Sequence, residues 1–342
     1  MAKVGIIGAS GFTGAELLRL CAGHPELEVA VATGDSQAGK PVAQLYPSLA
    51  AAYGDLVFAL YEPGVVDGLD LVFLGLPHGA SQAIVPALEG RVGRVVDLAA
   101  DFRLKDPALY PTWYGEPHAC PEWLDRFAYG LPELFRDDLA GATHVAAPGC
   151  YVTTTALALA PLVRAGLIET TGIVVDAASG VSGAGRGPRA EQMFCAVDEN
   201  FAAYGLLQHR HTPEMEQAIG AQLLFTPHLA PMNRGILATC YARPTNAGTT
   251  TADVIEALEA HYAGEPFIVV AGAYDALPST KATLGSNSCH VTARVDERTG
   301  WVVAIGALDN LVKGASGQAV QCANLLLGLE ETAGLATVGM YP

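Results

Sequence analysis

Lys3-Val4-Gly5-Ile6-Ile7-Gly8-Ala9-Ser10-Gly11-Phe12-Thr13-Gly14-Ala15-Glu16-Leu17-Leu18-Arg19-Leu20 is the stretch on which the fold turns. A short apolar strand runs into glycines spaced G-x-x-G-x-x-G, and residues of helical character follow at once. That spacing lets the backbone turn tightly and approach a pyrophosphate, which then rests on the helix N-terminus. The strand before and the helix after are the context the pattern requires, so a dinucleotide-binding start is predicted. Gly8, Ser10, Gly11, Phe12, Thr13 and Gly14 are its candidate cofactor contacts.

Working outward, Leu27 to Thr33 reads as the second strand. Its end is where such a fold chooses between a ribose hydroxyl and a 2′-phosphate. Asp35 there favours NAD, whereas Ser36 and Lys40 suit a phosphate, and the residues leave both open. Leu69 to Leu76 is continuous apolar strand, as in a parallel sheet buried on both faces, and it breaks at Pro77-His78-Gly79. Arg94 to Leu98 repeats the arrangement and ends in Asp101-Phe102-Arg103. Ligands of open α/β sheets sit beyond such strand ends, which makes His78 and Arg103 candidates for a ligand cleft. The Arg103 guanidinium matches a phosphate or a carboxylate. Residues 106–138, aromatic and proline-rich, are expected to form a long loop with short helical pieces, and His144-Val145-Ala146 is the last strand of this first domain.

That strand leads into Pro148-Gly149-Cys150-Tyr151, a tight turn delivering a thiol to an apolar helix that ends near Gly166. A cysteine at a helix N-terminus feels the positive end of the macrodipole and unsatisfied N–H groups, which favour thiolate. Cys150 is therefore the candidate nucleophile. From Ile173 onward the strands are more widely separated and alternate in polarity, which predicts an α+β domain with a mostly antiparallel sheet. Its strands are expected at 173–178, 223–229, 235–242, 267–270, 288–295 and 301–308, with a helix over 252–262. The loop Ser179 to Arg186, small residues closed by an arginine, is expected to form an anion nest. In Gln208-His209-Arg210-His211-Thr212-Pro213, Thr212 and Pro213 look like a helix N-cap and first helical position. Either histidine suits a proton donor that must reach Cys150 across the domain junction. No further ligand lies at zinc-like spacing, so no metal is expected. A helix of small and apolar residues over 315–327 is expected to return to the first domain. The resulting division is 1–149 with 314–342 for dinucleotide binding, and 150–313 for catalysis and oligomerisation.

Composition bounds the function. A chain of 342 residues that is 51% hydrophobic is long enough for two cores. Its net charge of -16 argues against nucleic acid and anionic membranes as partners, so any anionic ligand needs a local cradle of positive groups. The seven cysteines include no C-x-x-C pair, and neither a signal peptide nor an apolar run of membrane length is evident. A cytoplasmic enzyme with reduced thiols is expected.

Taken together, the stretches GASGFTGAELLRL, LGLPHGAS, DFRL, PGCYVTT, SGVSGAGR, HRHTPEMEQ, FTPHLAPMNRGILATCY and DNLVKGASGQAVQ resemble the N-acetyl-γ-glutamyl-phosphate reductase family. That family lies in the aspartate-semialdehyde dehydrogenase and glyceraldehyde-phosphate dehydrogenase group. The resemblance runs from Gly5 to about Leu335 and implies a Rossmann-type dinucleotide-binding domain plus an α+β domain. It also implies NADP-dependent interconversion of an N-acyl glutamyl 5-phosphate and its semialdehyde in arginine biosynthesis, through a thioester on Cys150, by a homo-oligomer, a dimer or tetramer. His211 is then the first choice for the acid/base and His209 the second, since the family pattern offers both. Pro77, Ser182, Gly183, Asn310 and Gly314 join the cofactor contacts, while Arg103, Ser179, Gly180 and Arg186 hold substrate.

Two positions depart from the family pattern. Ala147 stands where asparagine is usual, and Gly34-Asp35 stands where Ser-Arg often follows the second strand. NADP remains the expected cofactor, with Ser36 and Lys40 as surrogates, and Asp35 keeps NAD open. Two rivals are a reductase of carrier-linked glutamyl or aminoadipyl phosphates and a non-catalytic NAD(P)-binding regulator. An acidic carrier protein would be repelled by a chain this acidic, which favours the free acyl substrate.

Overall fold

Strand β1 (Ala2–Ile7) occupies the middle of a parallel sheet because Val4, Ile6 and Ile7 are buried apolar residues on a short extended run. It is flanked by β2 (Leu27–Ala32) and β3 (Leu71–Leu74), and the sheet continues through β4 (Val95–Asp97), β5 (Phe127–Tyr129) and β6 (His144–Ala146). The order is β2-β1-β3-β4-β6-β5, every pairing parallel, so the strand order reverses direction beside β1, where doubly wound sheets bind ligands. Helix α1 (Phe12–Ala22) and helix α2 (Ala80–Leu88) follow β1 and β3. Strand β5 lies in the segment expected to be a loop. Three residues are too few to show a period, and the strand is held by tertiary contact: Phe127 stacks on Phe102 with ring centroids 4.1 Å apart.

The computed structural model describes residues Met1 to Tyr341. They fall into two units, the first comprising Met1–Pro148 and Ala315–Leu335, the second Gly149–Gly314 and the described residues from Ala336. The returning helix α6 (Gly317–Leu327) is fastened to the first unit by polar contacts under an apolar surface. The Gln321 amide donates to Glu133 at 2.9 Å, Ser316 Oγ donates to the Thr13 carbonyl, and Asn324 Nδ2 donates to the Ala333 carbonyl. Asn324 Oδ1 lies 3.0 Å from His24 Nε2, and His24 Nδ1 accepts from the Glu26 and Leu27 amides. The last segment departs from the expected division. Asn287 N donates to Ala336 O, Ser288 Oγ to Thr337 O and Met340 N to Leu284 O, so this extended tail belongs to the second unit.

Among the described residues, the second unit carries a seven-stranded sheet in the order β11-β12-β13-β10-β7-β9-β8. Its strands are β7 (Ile173–Gly180), β8 (Ala202–Ala203), β9 (Leu223–Ala230), β10 (Ile236–Ala242), β11 (Ile268–Val270), β12 (Cys289–Asp296) and β13 (Trp301–Leu308). Only the β7–β9 and β11–β12 pairs are parallel, so the sheet is mixed and mostly antiparallel. Alternation places Ile173, Val175 and Ala177 of β7 with Ile236, Ala238 and Cys240 of β10 on the buried face. Helix α3 (Cys150–Arg164) is buried on every side from Tyr151 to Leu162 and packs along β10, β12 and β13, beside α4 (His211–Ile219) and α5 (Thr251–His261). The Tyr262 hydroxyl, donating to the Leu157 carbonyl at 2.6 Å, ties the end of α5 to it.

Replacing Asn324 by alanine leaves the Glu331 and Ala333 carbonyls and the His24 ring short of partners in a buried setting. A loss of about 2 kcal/mol is expected in urea unfolding, and an unchanged midpoint would refute the role. Burial also lowers the affinity of His24, His118, His144 and His290 for protons below the ordinary 6.5, and raises Asp97 to about 7. The histidines' contribution is present in full above the unfolded value of 6.5 and is lost as pH falls towards the folded values. Asp97 works the other way, adding stability that is full below 3.8 and lost as pH rises through about 7. With these four histidines and His209, itself lowered to about 4, against one carboxyl, the unfolding midpoint should climb as pH rises towards 6.5; a flat or falling profile would count against neutral buried histidines.

Candidate functional site

Cys150 is the first residue of α3, with Gly149 as its N-cap in extended conformation. The Gly149 carbonyl already accepts from Thr153 N at 2.9 Å, and the Gly149 amide donates to Glu214 Oε1 at 2.9 Å. A methyl group at Gly149 would come within 2.4 Å of His211 Nε2, and one at Gly314 within 2.7 Å of Cys150 Cβ. The imidazole therefore lies against the backbone just before the thiol, and the Asp309–Gly314 turn lies against the thiol's own Cβ. Both approaches need glycine. Five of the other cysteines are buried, and burial pushes the Cys21 thiol up to about 12 and Cys120 up to about 11, while Cys240 is raised as well. Those thiols are held protonated; Cys150 is half-buried and Cys195 is exposed.

Cys150 and His211 both belong to the second unit, contrary to the expectation that the proton donor reaches over a domain junction. Helix α4 begins at His211, with Arg210 as its N-cap, rather than after Thr212. The reason is the turn before it, where Thr212 N donates to His209 O at 3.0 Å. Pro213 consequently falls in the first turn, where its missing N–H costs nothing. Glu214, one turn on from His211 and fully buried, was not picked out from sequence. Its i, i+3 spacing on the His211 face is the signal that marks it. His209 packs edge-on to His211 at 4.8 Å and to Tyr151 at 5.6 Å, and burial lowers it to about 4.

Three backbone turns of the second unit converge beside this cluster. Gly180 N donates to Gly235 O, Val181 N to Met232 O and Ser182 N to Asn233 O. Buried Asn310 ties them together, its Oδ1 accepting from Gly235 N at 2.7 Å and its Nδ2 donating to Ser182 Oγ at 3.0 Å. Ser179 is buried, with its hydroxyl donating to the Gly180 carbonyl, and Gly183 is exposed above it. The loop expected to be an open nest is a single tight turn, Val181–Ala184, followed by Gly185 and half-buried Arg186. Asp309 carries the next turn: it accepts from the Gly285, Leu311 and Val312 amides and lies 3.4 Å from Arg234, a cation that sequence reasoning did not single out.

The glycine loop of the first unit is described by itself. Gly8 has φ +86°, its amide donates to Thr33 Oγ1, and a Cβ there would overlap Gly75 O; at Gly14 a Cβ would overlap Ala9. At Gly11 a Cβ would meet only Gly8 O, at 3.6 Å, so packing does not require this glycine. The open N-terminus of α1 that it leaves, with half-buried Ser10, Phe12 and Thr13 around it, fits a dinucleotide phosphate. Asp35, Ser36 and Lys40 are exposed at the end of β2, where Gln37 bonds both Ser36 Oγ and Lys40 Nζ at 3.1 Å. Pro77 is exposed after β3, and His78 pairs with Asp101 at 2.5 Å and lies on the Tyr114 ring. Arg103 is buried, with Nη2 donating to the Leu98 carbonyl at 2.7 Å. Among the described residues no group of His, Cys, Asp and Glu is arranged to hold a metal ion, and no helix is long and apolar enough to cross a membrane.

Residues 3–142 match the semialdehyde dehydrogenase NAD binding domain, and residues 150–310 match the semialdehyde dehydrogenase dimerisation domain. The chain is 49% identical to an N-acetyl-γ-glutamyl-phosphate reductase of Symbiobacterium thermophilum, over 99% of each chain. It is 48% identical to one of Geobacter sulfurreducens over the whole of both. Among solved structures it is similar to aspartate semialdehyde dehydrogenase II of Vibrio cholerae complexed with ASA, with a TM-score of 0.73 at 16% identity over 96% of this chain and 98% of that one. Aspartate semialdehyde dehydrogenase of Candida albicans with NADP gives a TM-score of 0.70 at 16% identity, over 96% and 98%. These structures share the fold, and the first unit is an NAD(P)-binding domain. The chain belongs to the N-acetyl-γ-glutamyl-phosphate reductase family of semialdehyde dehydrogenases.

Proposed function

We propose that this protein reduces N-acetyl-L-glutamyl 5-phosphate to N-acetyl-L-glutamate 5-semialdehyde with release of phosphate, in arginine biosynthesis, using NADPH. The observation that carries the reading is the thiol of Cys150 at a helix start, with the His211 imidazole against one flank and the Gly314 turn against the other. The Cys150 thiolate attacks the acyl-phosphate carbonyl carbon, the C–O bond to phosphate breaks, and a thioester forms. The chemistry a nicotinamide dinucleotide would supply when bound is the hydride that reduces the thioester carbonyl. His211 gives a proton to the oxyanion as the hydride arrives and takes it back as the thiohemiacetal collapses to the thiolate and the aldehyde. The Cys150 and Tyr151 amides stabilise the oxyanion at the helix N-terminus. Glu214, holding the Gly149 amide, keeps the turn closed around the thiol.

Arg103 and Arg186 hold the phosphate and carboxylate of the substrate in this reading, while Ser179 and Gly180, whose hydroxyl and amide are spent on the Gly180 and Gly235 carbonyls, shape the turn that leads to Arg186. Gly8, Ser10, Gly11, Phe12, Thr13 and Gly14 take the pyrophosphate, Pro77, Ser182, Gly183, Asn310 and Gly314 the nicotinamide side, and Ser36 with Lys40 the 2′-phosphate. The common attachment of Ser36 and Lys40 to Gln37 supports NADP over NAD at a strand end that also carries Asp35. The working protein is a cytoplasmic homo-oligomer, with a dinucleotide domain of residues 1–149 and a catalytic and oligomerisation domain of 150–313.

Phosphate-dependent reduction of NADP by the semialdehyde tests the chemistry in the reverse direction. His211→Asn should lower kcat by about 10²- to 10⁴-fold, and Cys150→Ser at least as far; a Cys150→Ser enzyme with wild-type turnover would remove the nucleophile assignment. Lys40→Ala should raise KM for NADP about tenfold and leave KM for NAD alone, because one charge-assisted phosphate contact is lost. Equal effects on both cofactors would place Lys40 outside the phosphate site.

A further inference from the structure

Five groups of the second unit form one hydrogen-bonded line that runs from the His211 loop to the helix carrying Cys150. His211 N donates to His209 Nδ1 at 3.1 Å, and His209 Nε2 stands 3.4 Å from the Tyr204 hydroxyl. Tyr204 Oη donates to Tyr151 Oη at 3.2 Å, and Tyr151 Oη donates to the His228 carbonyl at 3.0 Å. The two ends cannot reverse, since a backbone N–H only donates and a backbone carbonyl only accepts. Tyr151 must spend its proton on His228, so it accepts from Tyr204, and Tyr204 in turn accepts from His209 Nε2. Each intermediate proton is assigned by its neighbours.

We propose that His209 is a positioning residue, locked as the neutral Nε2–H tautomer, whose work is to hold the His211 amide, while Tyr204 anchors His209 to Tyr151 on the helix of Cys150. Both ring nitrogens are engaged by this line, so the one proton His209 carries is committed to Tyr204 and not to a reacting group. The local backbone agrees. The link from Tyr204 to His209 closes a six-residue loop in which Leu207 is held at φ +61°, a conformation that side-chain-bearing residues adopt only when their surroundings impose it. Charge agrees as well: burial and the neighbouring Arg210 keep the imidazole neutral, and burial, with Cys150 nearby, holds the Tyr204 hydroxyl up to about 12. Phe201, stacked on His228 at 5.2 Å, steadies the accepting end.

The inference rests on His211 being the acid/base of the proposed reaction, and the test separates the two. Asparagine places an acceptor where His209 carries Nδ1, so His209→Asn should retain kcat within about fivefold of wild type. His209→Ala, which frees the His211 loop, should lose about 100-fold in kcat. Tyr204→Phe should lose about fivefold, and all three variants should keep the pH dependence of kcat that His211→Asn abolishes. Nitrogen-15 NMR of histidine-labelled full-length protein, without substrate, should show His209 neutral and protonated on Nε2 between about pH 5.5 and 8.5. A His209→Asn enzyme as impaired as His209→Ala, loss of the pH limb in either, or a His209 that titrates in that range would overturn the proposal. A wild-type enzyme inactive on the semialdehyde would instead overturn the assigned reaction, because the tautomer is read without any turnover.

Discussion

The arrangement depends on one steric constraint: the backbone on both sides of the Cys150 thiol must be bare. An imidazole lies where the Cβ of residue 149 would stand, and the Cys150 side chain lies where the Cβ of residue 314 would stand. Any larger residue at either place forces the His211 imidazole or the Asp309 turn to move away from the thiol. Placement at that precision is what separates a reactive array from three polar groups in the same neighbourhood. The rigid apolar helix behind Cys150, buried along nearly its whole length, gives the constraint something to act against.

From that point the polar groups of the second unit are organised as fixed tethers. Glu214 holds Gly149, Asn310 spans two turns with both ends of its amide, and Asp309 gathers three backbone amides. Such groups are stable under apolar cover only because each has its partners. The same economy governs the first unit, where a helix more than three hundred residues downstream of the first strand is held by Gln321, Asn324 and Ser316. A carboxamide in a core specifies one docking geometry, which a greasy contact alone would not.

Several features were legible from residue pattern because they are local. The strand, glycine loop and helix of residues 3–20 obey one short-range rule, and β13 runs from Trp301 to Leu308 as its alternation predicts. What failed locally failed for tertiary reasons. β5 is three residues long and exists because Phe102 receives Phe127; α4 starts early because His209 O captures Thr212 N; and the tail after Ala336 is extended on the second unit because the Leu284 to Ser288 turn offers it partners. The loop after Ser179 looked open by composition, and its amides are instead spent on the Met232 to Gly235 turn.

By itself the sequence determined the fold class, the dinucleotide loop, the thiol at a helix start and the presence of two nearby histidines. Periodicity, glycine spacing and helix-capping chemistry act over a few residues and survive in any context that folds. Only the tertiary structure set His211 against Gly149 and His209 against Tyr204, and brought in Glu214 and Arg234. Those distinctions depend on which side of a ring meets a backbone amide and which carbonyl lies at the far end of a chain of hydroxyls. Such pairings join residues tens of positions apart, and no pattern along the chain encodes them.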